Sequence, residues 1–204
     1  MLKRSTFLAA LVGAVVASSS LLAGETPKAD RDTLVNHLKQ TETAFLKSID
    51  GLSDAQWTWK SAPDRWSVAE AAEHITMSED LLRGMAEGTL KAPATPEVLA
   101  KTKGKDEQVL KMIPDRTQKF KAPEPLVPKG SFASKAALVE AFKAARAKTV
   151  ALAGGTADLR GHAATGLPMG EMDTYQVVLF LSAHTERHTK QIEEVKTTAG
   201  YPAK

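Results

Sequence analysis

The sequence predicts an all-α protein, a four-helix bundle with a long proline-rich crossover between the second and third helices. Three observations support this fold class. Four stretches repeat apolar residues at helical spacing, six prolines fall within residues 89–133, and no stretch forms a convincing strand pair or an internal repeat. Because prolines at that density interrupt regular structure, the segment they occupy is expected to be the crossover.

Residues 1–23 have the layout of a secretory signal peptide. A short basic head precedes an apolar run from Phe7 to Ala17, and small residues continue to Ala23. The run is too short for a comfortable membrane span, so we expect cleavage near Ala23 and export to the periplasm or the medium. Retention of the segment as an anchor is the alternative. Residues 24–204 then form a single domain without a transmembrane helix, since about 180 residues suit one core.

Composition excludes several classes of function. The net charge of +3 falls to +1 when the leader removes Lys3 and Arg4 and no acidic residue. No block of basic residues with interleaved aromatics remains, so we expect no nucleic-acid partner. The chain contains no cysteine. Disulfides, cysteine-ligated zinc and an internal thiol nucleophile are therefore excluded.

The first predicted helix begins at Asp30, a suitable N-cap, and ends at Asp50-Gly51. The residues at helical spacing are Leu34, Leu38, Thr41, Phe45 and Ile49. The second helix begins at Ser67, where Glu70 completes a capping box, and ends at Gly88. Its apolar face comprises Val68, Ala71, Ala72, Ile75, Leu82 and Met85.

All three tryptophans lie in or beside the loop between these two helices, at Trp57, Trp59 and Trp66. Clustered tryptophans near a helix start usually close one end of a core, because each buries a large apolar area. We take that as the first interpretation. Lining of a ligand pocket is the second.

The crossover, residues 89–133, is predicted to contain one short helix around Val98 to Ile113. It could cover a site as a lid or be a plain connection. The third helix begins at Ser134 and stops at Gly154-Gly155, with Ala137, Leu138, Ala141, Phe142, Ala145 and Val150 on its buried side. A glycine-rich loop then leads to the fourth helix, which lies within Asp173 to Thr198.

Two histidines of the fourth helix, His184 and His188, stand four residues apart. That spacing places both imidazoles on one helical face, one turn apart, together with Val177, Leu181, Ile192 and Val195. Two such imidazoles can share one transition-metal ion with a third ligand from elsewhere. The alternative is that both are hydrogen-bonded groups at the edge of the core.

The other histidines carry weaker signals. His74 borders the apolar face of the second helix, where a lone histidine is more often a core or rim residue than a ligand. His37 lies beside the stripe of the first helix and is interpreted as a boundary or surface residue. His162 lies in the glycine-rich loop, and nothing in its spacing connects it to the others, so we expect a solvated residue.

Four fragments in order resemble one known family. They are WTWKSAPDRWSVAEAAEHI (57–75), EPLVPKGSF (124–132), AFKAARAKT (141–149) and HTERHTKQI (184–192). The chain is similar through them to the DinB/YfiT-like superfamily of four-helix bundles, from about Asp30 to Thr198. Members often pair through their helices, so a homodimer is possible, although no exposed apolar stripe in this sequence requires one.

The resemblance implies a metal site. In that family a histidine of helix two and a His-x-x-x-His pair of helix four bind one divalent ion, often zinc or nickel. The matching residues here are His74, His184 and His188. The family includes thiol-dependent S-transferases and isomerases, members labelled as metal-dependent hydrolases and many of unknown activity. Three imidazoles would leave a coordination position open, which favours a centre that binds substrate over a closed structural site.

We therefore expect a metal-dependent enzyme in which the ion activates a water or a thiol against a small-molecule substrate, as a hydrolase or a thiol S-transferase. Export weakens the transferase version, because low-molecular-weight thiols are mainly cytosolic. A non-catalytic metal or small-ligand binding module of the cell envelope is the alternative.

Four residues beside the expected ligands have side chains that could serve the site. Glu73 and Glu186 point about 100° away from the histidines on their helices, so neither is an obvious general base. Arg187 and Gln191 border the helix-four site and could orient an anionic substrate or a water. They are equally credible as solvated residues.

Overall fold

Four long helices run through the computed structural model, which describes residues 25–167 and 169–203. They are α1 (Lys28–Ile49), α3 (Val68–Thr89), α6 (Lys135–Gly155) and α7 (Thr174–Thr197). The predicted all-α four-helix bundle is confirmed. The predicted signal peptide, residues 1–23, lies outside the described residues. Within the described ranges, no helix combines the length and the apolarity that crossing a membrane requires.

The four long helices pack in a ring. α7 packs against α1 and α3, and α6 packs against the same two helices, so α6 and α7 lie diagonally opposite. The core divides into two apolar clusters. The first includes Leu34, Leu38, Leu82, Ala153, Val177 and Leu181, and the second includes Phe45, Ile49, Ala72, Ile75, Phe142 and Ile192.

A central polar layer separates the two apolar clusters. It consists of Thr41, Glu79, Arg146, Thr149 and Thr185, all of them buried. On each helix these residues lie between members of the first cluster and members of the second. The layer therefore crosses the bundle near its middle, and all four long helices contribute to it.

Most helix ends match the expected signals. The Ser67 hydroxyl accepts a hydrogen bond from the Glu70 N–H (3.1 Å), and the Glu70 carboxylate accepts one from the Ser67 N–H (2.7 Å). Ser134 caps α6. The predicted start of the first helix at Asp30 is wrong, because α1 begins at Lys28 after Pro27, whose fixed φ suits that position.

The segments between the long helices differ from the sequence predictions in two ways. The tryptophan loop contains a one-turn helix, α2 (Asp54–Thr58). The prediction of a single crossover helix is wrong, because two short helices, α4 (Pro96–Ala100) and α5 (Lys105–Met112), lie there instead. Gly104 separates them with a φ of +74°, a conformation that few other residues adopt. A 3₁₀ turn, Glu124–Leu126, follows in the crossover.

A small strand pair precedes α7. β1 (Ala163–Ala164) pairs antiparallel with β2 (Met172–Asp173), with Ala163 opposite Asp173. Two residues per strand are too few to show an alternating pattern, so the expectation of no strand pair was wrong. The pair positions Asp173, which caps α7 by accepting from the Gln176 N–H at 2.8 Å.

Candidate metal centre

Three imidazoles converge between α3 and α7. His74 comes from α3, and His184 and His188 come from adjacent turns of α7. One nitrogen of each ring lies within 4.8 Å of the nitrogens of the other two, and His74 Nε2 lies 3.2 Å from His184 Nε2. The structure therefore brings together the three residues that the resemblance singled out. The cluster can hold a metal ion.

The local sequence explains how the rings meet. The four-residue spacing stacks His184 over His188, with ring centroids 4.4 Å apart. On α3, the small buried residue Ala71 and the neighbouring Ile75 belong to the same apolar cluster as Ile192 of α7. This packing brings His74 to within 4.4 Å of the His188 ring centroid and 4.9 Å of the His184 ring centroid.

Two of the imidazoles are oriented by hydrogen bonds through Nδ1. The Nδ1–H of His74 donates to the Leu126 carbonyl oxygen at 2.8 Å, and that of His188 donates to Gln191 Oε1 at 2.8 Å. In this tautomer the lone pair of each ring is on Nε2. Both rings therefore present a ligating atom to the interior of the cluster.

The spacing of the nitrogens fits one ion. Two nitrogens bound tetrahedrally to one ion at 2.0–2.1 Å lie about 3.3 Å apart, and the observed separation of His74 Nε2 and His184 Nε2 is 3.2 Å. Two nitrogen lone pairs at this distance repel each other unless a proton or a cation lies between them. Imidazole suits several transition metals, zinc and nickel among them.

The electrostatic surroundings keep the three imidazoles neutral. Burial, with the charges of His74 and Arg187, lowers the pKa of His184 to about 3. Burial lowers the pKa of His74 as well, and burial with the neighbouring histidines lowers that of His188 further still. Neutral imidazole is the form that binds metals, so the rings are ready to bind at neutral pH.

Aromatic side chains line the cluster. The Trp66 ring centroid lies 4.9 Å from that of His74 and 6.0 Å from that of His188, while Phe180 stacks on His184 at 6.1 Å. Trp66 also packs against the second apolar cluster. The first interpretation, closure of a core, therefore applies to Trp66, and lining of a ligand pocket stays a prediction. Trp59 packs against Tyr201 at 5.5 Å.

The crossover is fastened to both ligand-bearing helices beside the cluster. From α3, the Glu73 carboxylate accepts from the backbone N–H groups of Lys129, Gly130 and Ser131 at 2.9–3.0 Å. Burial alone would raise the pKa of Glu73, but these hydrogen bonds outweigh it and lower the pKa. From α7, the Arg187 guanidinium donates to the backbone carbonyls of Ile113, Asp115 and Gln118.

The other candidate residues contact neighbouring side chains or backbone groups. Arg187 is buried and binds the crossover. Gln191 Oε1 accepts from Arg116 at 3.2 Å in addition to His188. Glu186 forms an ion pair with Lys190 at 2.8 Å. The role of Arg187 and Gln191 in orienting a substrate stays a prediction.

Two histidines do not join the cluster. His37 is half-buried, as expected of a boundary residue, and its Nδ1 lies 2.7 Å from the Ser182 hydroxyl. His162 is in the loop before β1, but its side chain is only 16% exposed and its Nδ1 donates to the Ala92 carbonyl at 2.8 Å. The expectation of a solvated His162 is therefore wrong, since the loop folds back over the end of α3.

Sequence reasoning missed the central polar layer. Arg146 and Glu79 form a fully buried ion pair, and Arg146 also donates to the Leu38 carbonyl (2.7 Å), Thr41 (2.9 Å) and Thr185 (2.8 Å). A signal was present: Arg146 is four residues after Phe142 and Glu79 is four after Ile75, so both lie on the apolar faces of their helices. A charged residue on a buried face requires a partner.

Comparisons with known proteins agree with this architecture. A family model described as the DinB superfamily matches residues 37–192, a range that includes all three clustered histidines. The chain is also similar to the uncharacterized protein YuaE of Bacillus subtilis (strain 168), with 24% identity over 149 residues, covering 72% of this chain and 88% of the relative. No solved structure gives a significant match.

Proposed function

The chain belongs to the DinB superfamily, and from that premise we propose that it is an exported enzyme that depends on one divalent metal ion. His74, His184 and His188 would bind the ion, with zinc and nickel as the best-suited metals. The substrate is a small molecule, and the reaction is hydrolysis or transfer to a thiol. Export rests on the signal-peptide pattern of residues 1–23.

The composition of the cluster carries this proposal. Three neutral imidazoles supply three ligands to an ion that takes four or more, so a position remains for water or substrate. A divalent ion in that place lowers the pKa of a water or thiol that binds it toward neutrality. The neutral donor set leaves the charge of the ion uncompensated, which strengthens that effect.

The protein residues around the cluster have separate roles in this proposal. Leu126 and Gln191 orient two of the ligands through Nδ1. Trp66 keeps bulk water from the His74 ring that it covers. His74 and His188 are buried, whereas His184 is partly accessible, so substrate approaches from the His184 side.

One observation favours a second function, a non-catalytic metal or small-ligand binding module of the cell envelope. The two carboxylates next to the ligands in sequence are both occupied, Glu73 by three backbone N–H groups and Glu186 by Lys190. Neither is free to act as a general base. In the enzyme, the ion would have to activate the nucleophile without a carboxylate from these two positions.

Measuring metal content tests the metal site that both proposed functions require. His74→Ala and His184→Ala should each lower the bound metal from about one ion per chain to near zero, because only the folded wild-type site offers three ligands. Melting temperature should fall with metal content, since the ion binds only the folded state. His162→Ala, a histidine outside the cluster, serves as the control and should keep its ion. One tightly held ion per chain in both cluster variants would refute the site.

Turnover separates the enzyme from the binding module. Purified residues 24–204, with and without added Zn²⁺ or Ni²⁺, would be assayed on ester and amide panels and on thiol–acceptor pairs. We expect activity in one panel that chelation abolishes. Activity unchanged by chelation would refute the metal-dependent enzyme, and metal binding with no turnover in either panel would favour the binding module.

A further inference from the structure

We propose that Arg116 and Gln191 are positioning residues that fix the tautomer of His188. Together they hold the proton on Nδ1, so that the lone pair of Nε2 faces His74 and His184. The inference rests on the proposed function only in taking Nε2 as the ligating atom. The tautomer itself is a property of the metal-free protein.

A chain of hydrogen bonds runs outward from the cluster. His188 Nδ1 lies 2.8 Å from Gln191 Oε1, and the same oxygen accepts from Arg116 Nη1 at 3.2 Å. Arg116 Nε and Nη2 donate to the two carboxylate oxygens of Glu194, at 2.9 and 2.8 Å. Gln191 is three residues after His188 on α7, so the helix itself places the amide beside the ring.

The guanidinium decides which way the Gln191 amide faces. Arg116 can only donate, so the amide must present its oxygen to Arg116 rather than its NH₂ group. The same oxygen then also accepts from His188, and only the Nδ1–H tautomer can supply that proton. If the amide were rotated by half a turn, its NH₂ group would face the guanidinium and would donate to His188 Nδ1. The ring proton would then be on Nε2, and that nitrogen could not bind a metal.

The crossover in turn holds Arg116 in place. Arg187 of α7 donates to the backbone carbonyls of Ile113 and Asp115, which lie just before Arg116. The bidentate contact with Glu194 fixes the orientation of the guanidinium plane. His74 needs no such arrangement, because its partner is the backbone carbonyl of Leu126. A carbonyl can only accept, whereas a glutamine amide can rotate and present a donor instead. Sensitivity to a remote side chain is therefore expected of His188 and not of His74.

Four variants separate this role from simple packing. Gln191→Met removes the oxygen that accepts from His188. Arg116→Met removes the guanidinium that makes the Gln191 amide present this oxygen. Gln191→Glu keeps an acceptor for both neighbours, and Arg116→Lys keeps a donor. Arg83→Met is the matched control, since Arg83 also contacts two carboxylates, Asp80 and Glu87, on the surface of α3.

Two measurements read the outcome. The ¹⁵N chemical shifts of the His188 ring in the metal-free protein report the tautomer, and competition with a chelator reports the affinity for Zn²⁺. We expect Gln191→Met to lose the pure Nδ1–H tautomer and to bind Zn²⁺ about 10- to 100-fold more weakly. Arg116→Met should show mixed tautomers and a smaller loss, while Gln191→Glu, Arg116→Lys and Arg83→Met should keep the wild-type tautomer.

The prediction about the His188 tautomer and the prediction about Zn²⁺ affinity can each be wrong without the other. An unchanged Nδ1–H tautomer in both methionine variants would overturn the inference, whatever the affinities. Wild-type protein that binds no Zn²⁺ but shows the expected change in tautomer would refute the proposed function and support the positioning role. A weaker Zn²⁺ affinity in Gln191→Met that Gln191→Glu fully restores would support both.

Discussion

The central polar layer and the histidine cluster both connect α3 to α7 inside the bundle, but they differ in how their polar atoms are satisfied. In the layer, every hydrogen-bonding nitrogen of Arg146 has an acceptor, and both oxygens of Glu79 accept. In the cluster, the nitrogens of His74 and His184 face each other at 3.2 Å. The layer is complete without a ligand, whereas the cluster presents nitrogen atoms that could bind a cation.

This difference separates a polar cluster suited to stabilising the fold from one suited to binding a metal ion. A saturated buried network fixes the relative positions of the four long helices, because any shift breaks hydrogen bonds that water cannot replace. Three neutral imidazoles whose nitrogens lie close together contribute little to stability by themselves. Variants of the layer should therefore change stability and leave metal binding intact, and variants of the cluster should do the reverse.

The largest effect is expected for Arg146→Met. It leaves the Glu79 carboxylate buried without its cation, so the free energy of unfolding of the metal-free protein should fall by about 3–5 kcal/mol. Chemical denaturation measures this loss, and the folded variant should still bind one Zn²⁺ per chain. The double variant Arg146→Met/Glu79→Met should regain much of the stability, since no charge remains buried.

Arg83, a half-buried arginine whose two carboxylate partners are exposed, supplies a control for Arg146. Arg83→Met should cost less than about 1 kcal/mol, because ion pairs at the surface are screened by water. Equal losses for Arg83→Met and Arg146→Met would show that burial of the layer is not what stabilises the bundle.

The histidine cluster predicts a smaller, pH-dependent effect. Burial lowers the pKa of all three clustered histidines in the folded state, and that of His184 falls to about 3. The unfolded chain binds protons below about pH 6.5, so the stability of the metal-free protein should fall as pH decreases through that value. The slope is at most about 1.4 kcal/mol per pH unit for each histidine.

A variant isolates this pH dependence from other groups. Burial raises the pKa of Asp173 to about 6, which opposes the histidine effect in the same range. Subtracting the stability of the double variant His184→Ala/His188→Ala from that of the wild type at each pH removes the contribution of Asp173, because both proteins contain it. We expect a shallower pH dependence in the double variant by denaturation at pH 7.5, 6.5 and 5.5. Parallel curves would contradict neutral imidazoles in the folded cluster.

The long helices could be predicted because their signals are local. The capping box of Ser67 and Glu70 and the apolar spacing of Phe142 act within a few residues of the chain. The break in the crossover helix at Gly104 was missed, because a glycine within a helical pattern is a weak signal until its φ is known. The β1–β2 pair was too short to leave a pattern.

The candidate site shows the opposite balance. The spacing of His184 and His188 fixed their shared face, but the pairing with His74 needed the family resemblance, since no local rule connects two helices 110 residues apart. The orienting groups were beyond sequence reasoning altogether. The Leu126 carbonyl and the Arg116 guanidinium reach the cluster only through the path of the crossover, which sequence patterns do not specify.

The most local effect is expected where the crossover binds to α3. Glu73→Gln keeps one oxygen for the N–H groups of Lys129 and Ser131, but it removes the charge and replaces the oxygen that accepts from the Gly130 N–H with an NH₂ group. Stability should therefore fall by about 1–3 kcal/mol. Hydrogen exchange should accelerate at the amides of Lys129, Gly130 and Ser131 while the amides of α6 stay protected. Glu70→Gln, which changes a carboxylate on the same helix away from the crossover, should leave those three amides unchanged. Exchange that accelerates equally in both variants would show that the Glu73 carboxylate does not hold the crossover.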